Sequence, residues 1–291
     1  MNNFTTNTYE MKREIVNFSK KITNGLNKPT TKFVMDVEYG LAKSKSCLIS
    51  NISRSLDEDI KLKDTIERLC DNLVRMSDKE YKIIENNYLE EVKKTLLNEP
   101  IFLFDDSDIS KRYGLKFEDL DRVLDASSPQ KEIVNGYHIC EAVSLTINEL
   151  QPVSIYSKIY SCKSKGFKSK NIYTMESIDR AIEISGKRSN FVFDRGYDDN
   201  KIIDYVDKSN NNFVIRMDDK RTFLFKGKKK NCYEEVIKII EASKSLRNKV
   251  VVWLTQISRG ISSMLAFAHT GIKEWQNIEE RNKTKQLELK L

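Results

Sequence analysis

The spacing of apolar residues changes at Pro100, and this change constrains the fold more than any other feature of the sequence. Before it, apolar residues recur with the period of amphipathic helices, for example over residues 14–26 and 41–56. After it come short apolar runs and stretches of strict alternation, which are typical of strands. The sequence therefore predicts a helical domain over residues 1–97 and a strand-containing domain over residues 98–291.

The second domain shows a definite order of predicted elements: three strands, a helix, a strand, a second helix and a last strand. The first three strands are predicted over residues 101–104, 136–147 and 153–161, and the first helix over residues 171–185. The fourth strand is predicted over residues 191–193, the second helix over 200–208 and the last strand over 213–215. The first three strands would form an antiparallel meander, and the later strands would join the sheet through crossovers. This order is the RNase H-like arrangement, a mixed α/β sheet with flanking helices in which the first and fourth strands are neighbours.

Two of the predicted strands are each followed directly by an aspartate. Asp105 directly follows the run 101–104, and Asp194, which is 89 positions further along, directly follows the run 191–193. If their strands are neighbours, the two carboxylates meet, and carboxylate oxygens are ligands that Mg²⁺ prefers. Aspartates at strand ends are also common as turn formers and helix caps, so the sheet order carries this prediction rather than the residue type.

Other aspartates lie close to these two positions. Asp106 and Asp108 compete with Asp105 as the ligand, and Asp105 is preferred because it directly follows the apolar run. Asp198 and Asp199 are expected to cap the following helix, since carboxylates at that position accept backbone N–H bonds. The charged stretch over residues 111–130 is predicted to be a loop.

The net charge of +7 is concentrated at one end of the sequence. Residues 217–291 hold 16 basic and 9 acidic side chains, so the whole basic excess lies there. A basic excess attracts polyanions, nucleic acid first among them, although a charged run alone is usually a solvated surface. No apolar run approaches the roughly 20 residues of a membrane span, and the first ten residues do not form a signal peptide, so the expected compartment is the cytoplasm.

Cysteine and histidine content bears on redox chemistry and on metal sites. The five cysteines form no Cys-x-x-Cys pair, and the sequence has two histidines, His138 and His269. These numbers predict reduced, mostly buried thiols, with neither a disulfide framework nor a zinc site.

The stretches around the two aspartates resemble the DDE transposases of bacterial insertion sequences. Residues 104–109, Phe-Asp-Asp-Ser-Asp-Ile, are similar to the first acidic motif of that family. Residues 191–198, Phe-Val-Phe-Asp-Arg-Gly-Tyr-Asp, are similar to the second acidic motif, in the branch that reads Asp-Arg-Glu/Gly-Tyr. Residues 135–138, 156–167 and 31–41 also resemble Firmicute-type members, and the resemblance spans about residues 10–220.

The resemblance implies an enzyme that acts on DNA. Asp105 and Asp194 would be catalytic ligands of Mg²⁺ or Mn²⁺, and Arg195 and Tyr197 would lie beside the scissile DNA. The family binds the terminal repeats of its element as double-stranded DNA, cleaves them and joins the 3′-OH ends to target DNA. It does so as a homodimer in a synaptic complex, which implies association with the nucleoid. Residues 1–97 would recognise the DNA ends or make the dimer contacts. From the residues alone, a surface salt bridge for Arg195 and a packing role for Tyr197 stay open.

The third acidic motif of that family, a helix with tyrosine, arginine, glutamate and lysine at fixed spacing, is altered in this sequence. Residues 275–280, Trp-Gln-Asn-Ile-Glu-Glu, are similar to its core and make Glu279 the candidate glutamate. The flanking positions Ile272, Trp275 and Gln286 depart from the pattern. A rearranged or truncated copy is therefore expected, with a curtailed β insertion and a C-terminal helix. Three functions stay open: an active transposase, a catalytically dead DNA-binding remnant, and an RNase H-like metal-dependent nuclease.

Overall fold

The computed structural model describes residues 3–125, 128–130 and 132–215, with side chains from residue 9 onward. Beyond these it describes the backbone of four further strands. The chain divides into two compact units, Met1–Lys94 and Thr95–Leu291. Among the described helices, none combines the length and the apolar character that crossing a bilayer requires.

The first unit is built from helices. They are α1 (Asn3–Ile22), α2 (Lys28–Ser44), α3 (Ile49–Leu56), α4 (Leu62–Arg75) and α5 (Asp78–Lys93). Each presents an apolar stripe to a common core, as amphipathic helices do. The buried residues of that core are Ile22, Phe33, Val34, Ile52 and Leu69.

The single helix predicted over residues 41–56 is wrong, because the chain breaks between α2 and α3. Lys45 ends α2 in the left-handed conformation, at φ 51°, and its N–H bonds to the carbonyl of Leu41. Two serines then offer the backbone a local alternative to the helix: Ser44 Oγ donates to the Ser46 carbonyl, and Ser46 Oγ accepts from the N–H of Leu48. Serine hydroxyls compete with helical hydrogen bonds in this way, and periodicity alone does not reveal it.

The second unit contains a mixed six-stranded sheet with two helices. Its strands are β1 (Ile101–Ser110), β2 (Asp121–Leu124), β3 (Ile133–Leu145), β4 (Pro152–Tyr160), β5 (Asn190–Phe193) and β6 (Asn212–Ile215). The helices are α6 (Lys170–Ser185) and α7 (Asn200–Lys208). β3 pairs antiparallel with β1, β2 and β4, whereas β5 pairs parallel with β1 and β6. The sheet is therefore mixed, and the predicted neighbourhood of the first and fourth predicted strands is confirmed.

One face of this sheet carries the core of the unit. Phe102, Phe104, Phe191 and Phe193 alternate inward from β1 and β5 and are at most 3% exposed. The buried side chains that α6 and α7 contribute are Ile178, Ala181, Ile184, Ile202, Ile203 and Val206. The side chains at the alternate positions of each strand point to the opposite face, because successive residues of a strand alternate between its two faces.

Two strand predictions need correction. β1 continues six residues past Phe104 to Ser110, because its polar half stays paired with β3 as far as Gly136. Asp105 therefore lies inside the strand and not at its end. The predicted loop over residues 111–130 contains β2, a four-residue strand that pairs with the start of β3. Backbone pairing holds both segments, and their side chains show no apolar pattern.

Four more strands follow in the second unit. β7 (Thr222–Phe225) pairs antiparallel with β8 (Lys228–Asn231), and β9 (Lys249–Ser258) pairs antiparallel with β10 (Ile261–Thr270). The predicted C-terminal helix and Glu279 lie outside the described residues.

Candidate active site

The register of β1 against β5 sets the position of the two candidate aspartates. The parallel ladder ends at the pair Phe104 and Phe193, whose rings stack with centroids 4.4 Å apart. Asp105 directly follows Phe104, Asp194 directly follows Phe193, and both aspartates are exposed. Residues 89 positions apart in the sequence are thus brought to neighbouring positions at one edge of the parallel ladder.

The electrostatics of Asp105 report the same proximity. Partial burial raises the pKa of this carboxyl above its ordinary value, and the negative charge of Asp194 raises it further. Asp106 adds to the rise, and Glu141 makes a smaller contribution. Like charges that raise a carboxyl pKa must lie close to it, so this edge of the sheet concentrates negative charge.

A local turn holds Asp194. The residue caps a single turn of 3₁₀ helix, Arg195–Tyr197, and its Oδ1 accepts the N–H of Gly196 at 2.7 Å. A Cβ at position 196 would lie 3.0 Å from that oxygen, so glycine allows the carboxylate to approach the backbone closely. The turn-forming role that the sequence left open for Asp194 is therefore present, and it fixes the carboxylate beside β1.

Glu141 is an acidic residue that the sequence analysis missed at this edge. The antiparallel register pairs it directly with Asp105, so both side chains leave the same face of the sheet. The alternating pattern of β3 does not identify the residue that lies opposite Glu141, and only the β1–β3 register shows that it is Asp105. Among the described residues, the group of three whose ligand atoms all lie within 4.8 Å is elsewhere, at Asp121, His138 and Cys162.

The two aspartates that compete with Asp105 point to the opposite face of β1. Asp108 Oδ1 lies 2.7 Å from Nδ1 of His138, its partner across the ladder. Asp106 is half-buried, and its Oδ1 has no hydrogen-bond partner in the described part of the chain. Alternation along the strand thus separates both residues from the face that Asp105 shares with Glu141.

The residues after Asp194 divide between surface and core. Arg195 is exposed, whereas Tyr197 is 3% exposed and its ring packs 5.3 Å from that of Phe193. Burial raises the pKa of Tyr197, and the nearby carboxylate of Asp106 adds to the rise. The position of Tyr197 fits the packing alternative, since its ring does not face solvent. Asp199 caps α7 by accepting the N–H of Lys201, which confirms the predicted cap for this residue. The same prediction for Asp198 is wrong, because Asp198 ends the preceding 3₁₀ turn.

The expectation of mostly buried cysteines is wrong for the described residues. Cys140 is buried, and burial raises its pKa to about 12. Cys47, Cys70 and Cys162 are exposed. The cluster of Asp121, His138 and Cys162 was not predicted, because these residues are far apart in the chain and show none of the short ligand spacings of zinc motifs.

The chemistry of the Asp105–Asp194 edge fits a hard divalent cation. The side-chain ligands there are the carboxylates of Asp105 and Asp194, and both residues are exposed. The repulsion between the two carboxylates is relieved when a cation binds between them. Magnesium is commonly held by one or two carboxylates, with water and substrate phosphates as the remaining ligands.

No model of a known protein family matches this chain, and no curated protein sequence matches it. Among solved structures, the chain is similar to a piggyBac transposase synaptic complex with hairpin DNA, at 12% identity and a TM-score of 0.37. That match covers 88% of this chain and 57% of the other, so this chain spans little more than half of that transposase. A second similar structure is Ciona intestinalis endonuclease V with DNA containing an inosine followed by a ribo-adenosine. It is 14% identical, with a TM-score of 0.27, and the match covers 67% of this chain and 84% of that one.

Proposed function

We propose that this chain is a metal-dependent DNA-processing enzyme of the DDE transposase type, with an RNase H-like catalytic unit. Asp105 and Asp194 are the metal ligands, and the metal is Mg²⁺ or Mn²⁺. The observation that carries the proposal is the parallel register of β1 and β5, which makes these two aspartates neighbours at one edge of the sheet.

The proposed roles follow from how each residue is held. Asp105 is paired with β3, and it directly follows the stretch of β1 that is paired on both sides, with β3 and β5, so its carboxylate has a rigid support. Asp194 is fixed by its bond to the Gly196 N–H. When bound, the divalent ion would supply activation of the attacking hydroxyl and stabilisation of the leaving oxygen in a phosphodiester displacement.

Arg195 is the proposed phosphate contact. It is exposed and directly follows Asp194, so its guanidinium is within side-chain reach of DNA bound at the carboxylates. Arginine suits this role because its planar fork pairs with phosphate oxygens. Tyr197 has a structural role in this proposal, because its buried ring packs on Phe193 and supports the turn that carries Asp194.

The finer parts of the proposal rest on the resemblance of residues 10–220 to insertion-sequence transposases. They are recognition of the element's terminal repeats by the helical unit, joining of 3′-OH ends to target DNA, and a homodimer in the synaptic complex. Glu141 is the described acidic residue best placed to act as a third ligand, because it is the cross-strand partner of Asp105.

The test is a cleavage and joining assay with the purified chain. The substrate is labelled duplex DNA taken from the sequences that flank its own coding region, with a supercoiled plasmid as target and Mg²⁺ or Mn²⁺ present. We expect nicked and joined products. Nicking without joining would support the nuclease alternative, and binding without nicking would support the catalytically dead remnant.

Substitutions connect the activity to the site. Asp105→Asn and Asp194→Asn should each lower nicking by at least about 100-fold, since even outer-shell partners of metal sites cost about 10–100-fold. Glu183→Gln is the matched control, because it removes one carboxylate charge from an exposed position on α6. Equal nicking by the control and by Asp194→Asn would exclude the proposed site.

A further inference from the structure

Three side chains from separate parts of the second unit converge away from the carboxylate edge. Asp121 opens β2, His138 lies in β3, and Cys162 follows the end of β4. Their ligand atoms, one carboxylate oxygen, one imidazole nitrogen and one sulfur, all lie within 4.8 Å of one another. Oxygen, nitrogen and sulfur donors are therefore combined in one small volume.

The strand ladders fix this convergence. Asp121 is paired with Gly136, two residues before His138 on the same strand. His138 is paired with Tyr160 of β4, two residues before Cys162. A step of two residues returns to the same face of a strand, so the ladder places Asp121 beside His138. Cys162 lies in the turn after β4, where its N–H donates to Asp121 Oδ2 at 2.8 Å and holds it at the cluster.

Gly136 allows the close approach of these strands. A Cβ built at this position would collide with the Ile109 backbone carbonyl and with the side chain of Val123. Glycine therefore lets β1 and β2 crowd against the start of β3, which brings Asp121 toward His138.

A carboxylate orients the histidine. Asp108 Oδ1 lies 2.7 Å from His138 Nδ1, and a carboxylate only accepts hydrogen bonds, so the Nδ1 proton points to Asp108. This leaves Nε2 directed toward Asp121. Metal-binding histidines commonly donate their other N–H to a carboxylate, which fixes the tautomer and the orientation of the ring.

The separation of the facing donors fits an ion better than a direct contact. His138 Nε2 and Asp121 Oδ2 are 3.6 Å apart, too far for a good hydrogen bond. Two donors at zinc bond lengths of about 2.0–2.2 Å and a tetrahedral angle lie roughly 3.3–3.6 Å apart. The Asp121 carboxylate also accepts hydrogen bonds from the N–H groups of Arg122 and Cys162, at 2.7 and 2.8 Å.

The cluster also has an entry path. A cavity of about 600 Å³ opens beside it and is lined by His138, Cys162 and Asp108, with Lys170 among the further lining residues. An ion can reach the donors through this cavity, and a water molecule has room to complete its coordination.

We propose that Asp121, His138 and Cys162 bind one divalent cation of the Zn²⁺ class, with water as the fourth ligand. Thiolate and imidazole favour Zn²⁺ over Mg²⁺, which takes oxygen ligands. The bound ion ties the short strand β2 and the segment after β4 to β3. The site is separate from the Asp105–Asp194 edge and does not depend on the proposed function.

Cobalt is the probe for this site, because a thiolate ligand gives Co²⁺ a charge-transfer absorption band. The full chain is stripped with a chelator and titrated with Co²⁺ alone, and then with Zn²⁺ as competitor. We expect the band to appear at one equivalent and to disappear when Zn²⁺ is added. A wild-type protein that shows no such band would overturn the proposal.

Variants assign the ligands. Cys162→Ser should abolish the band, and His138→Gln should lower Co²⁺ affinity by at least about 100-fold. Cys70→Ser, which alters another exposed cysteine, should leave the band unchanged, and so should Asp105→Asn. Survival of the band in Cys162→Ser would exclude this site.

A measurement on the wild-type chain covers the case in which a variant fails to fold. Zn²⁺ should cause loss of iodoacetamide labelling at Cys162, because a metal-bound thiolate is blocked. The exposed Cys47 and Cys70 serve as internal controls and should be labelled equally with and without Zn²⁺. Equal labelling of Cys162 in both conditions would contradict metal binding.

Discussion

Asp105 is surrounded by other carboxylates, from Asp194, Asp106 and Glu141. Burial and these charges raise its pKa in the folded protein, so the folded state binds the proton more tightly than the unfolded state does. The stability from this proton is fully present below the ordinary aspartate pKa and is lost as pH rises through the raised value. At neutral pH the ionised Asp105 therefore opposes folding.

Asp105→Asn should accordingly stabilise the metal-free protein while it abolishes cleavage. We expect the free energy of unfolding at pH 7 to rise by about 1 kcal/mol or less, because the side chain is exposed and its charges are screened. Urea denaturation of both proteins with a chelator present measures this, and the gain should vanish below the aspartate pKa. A variant less stable than wild type at pH 7 would show that the carboxylates do not repel one another.

At the scale of elements, the contact between α2 and α3 depends on Gly40. A Cβ at this position would lie 2.5 Å from Ile52 Cγ2 and 3.1–3.2 Å from the Ile52 backbone. Alanine gains about 1 kcal/mol in helix propensity over glycine, but overpacking of a core costs about 1–3 kcal/mol. The backbone of Ile52 cannot move aside as a side chain can, so the clash should exceed the gain.

Gly40→Ala should therefore destabilise the protein by about 1–2 kcal/mol, which denaturant titration measures. A double-mutant cycle with Ile52→Ala isolates the cause, because removing the Ile52 side chain should reduce the cost of the added methyl group. An increase in stability on Gly40→Ala would mean that α2 and α3 are not in tight contact here.

The same scale shows why some elements were predictable from the sequence. α6, α7 and β5 have clear apolar periods, and their predicted bounds agree with the structure to within one residue. β2 is four residues long and half polar, the second half of β1 is mostly polar, and the backbones of both are held by pairing with β3. Pairing with a distant strand leaves no periodic signal, so these segments could not be predicted.

At the scale of the whole molecule, the candidate site divides in the same way. Asp105 and Asp194 could be paired from the sequence, because the order of strands and helices predicts which strands are neighbours. Glu141, and the cluster of Asp121, His138 and Cys162, depend on the register of antiparallel ladders. A shift of one residue in that register would send these side chains to the other face, and no local pattern fixes it.

The central claim is that Asp105 and Asp194 hold a divalent cation together. Its most direct test is an anomalous difference map from a crystal of the full chain soaked in Mn²⁺. The account predicts a peak between the two carboxylates, within about 2.0–2.3 Å of an oxygen of each, that is absent from crystals of Asp194→Asn. Mn²⁺ bound elsewhere, or not at all, with the two carboxylates turned apart, would contradict it.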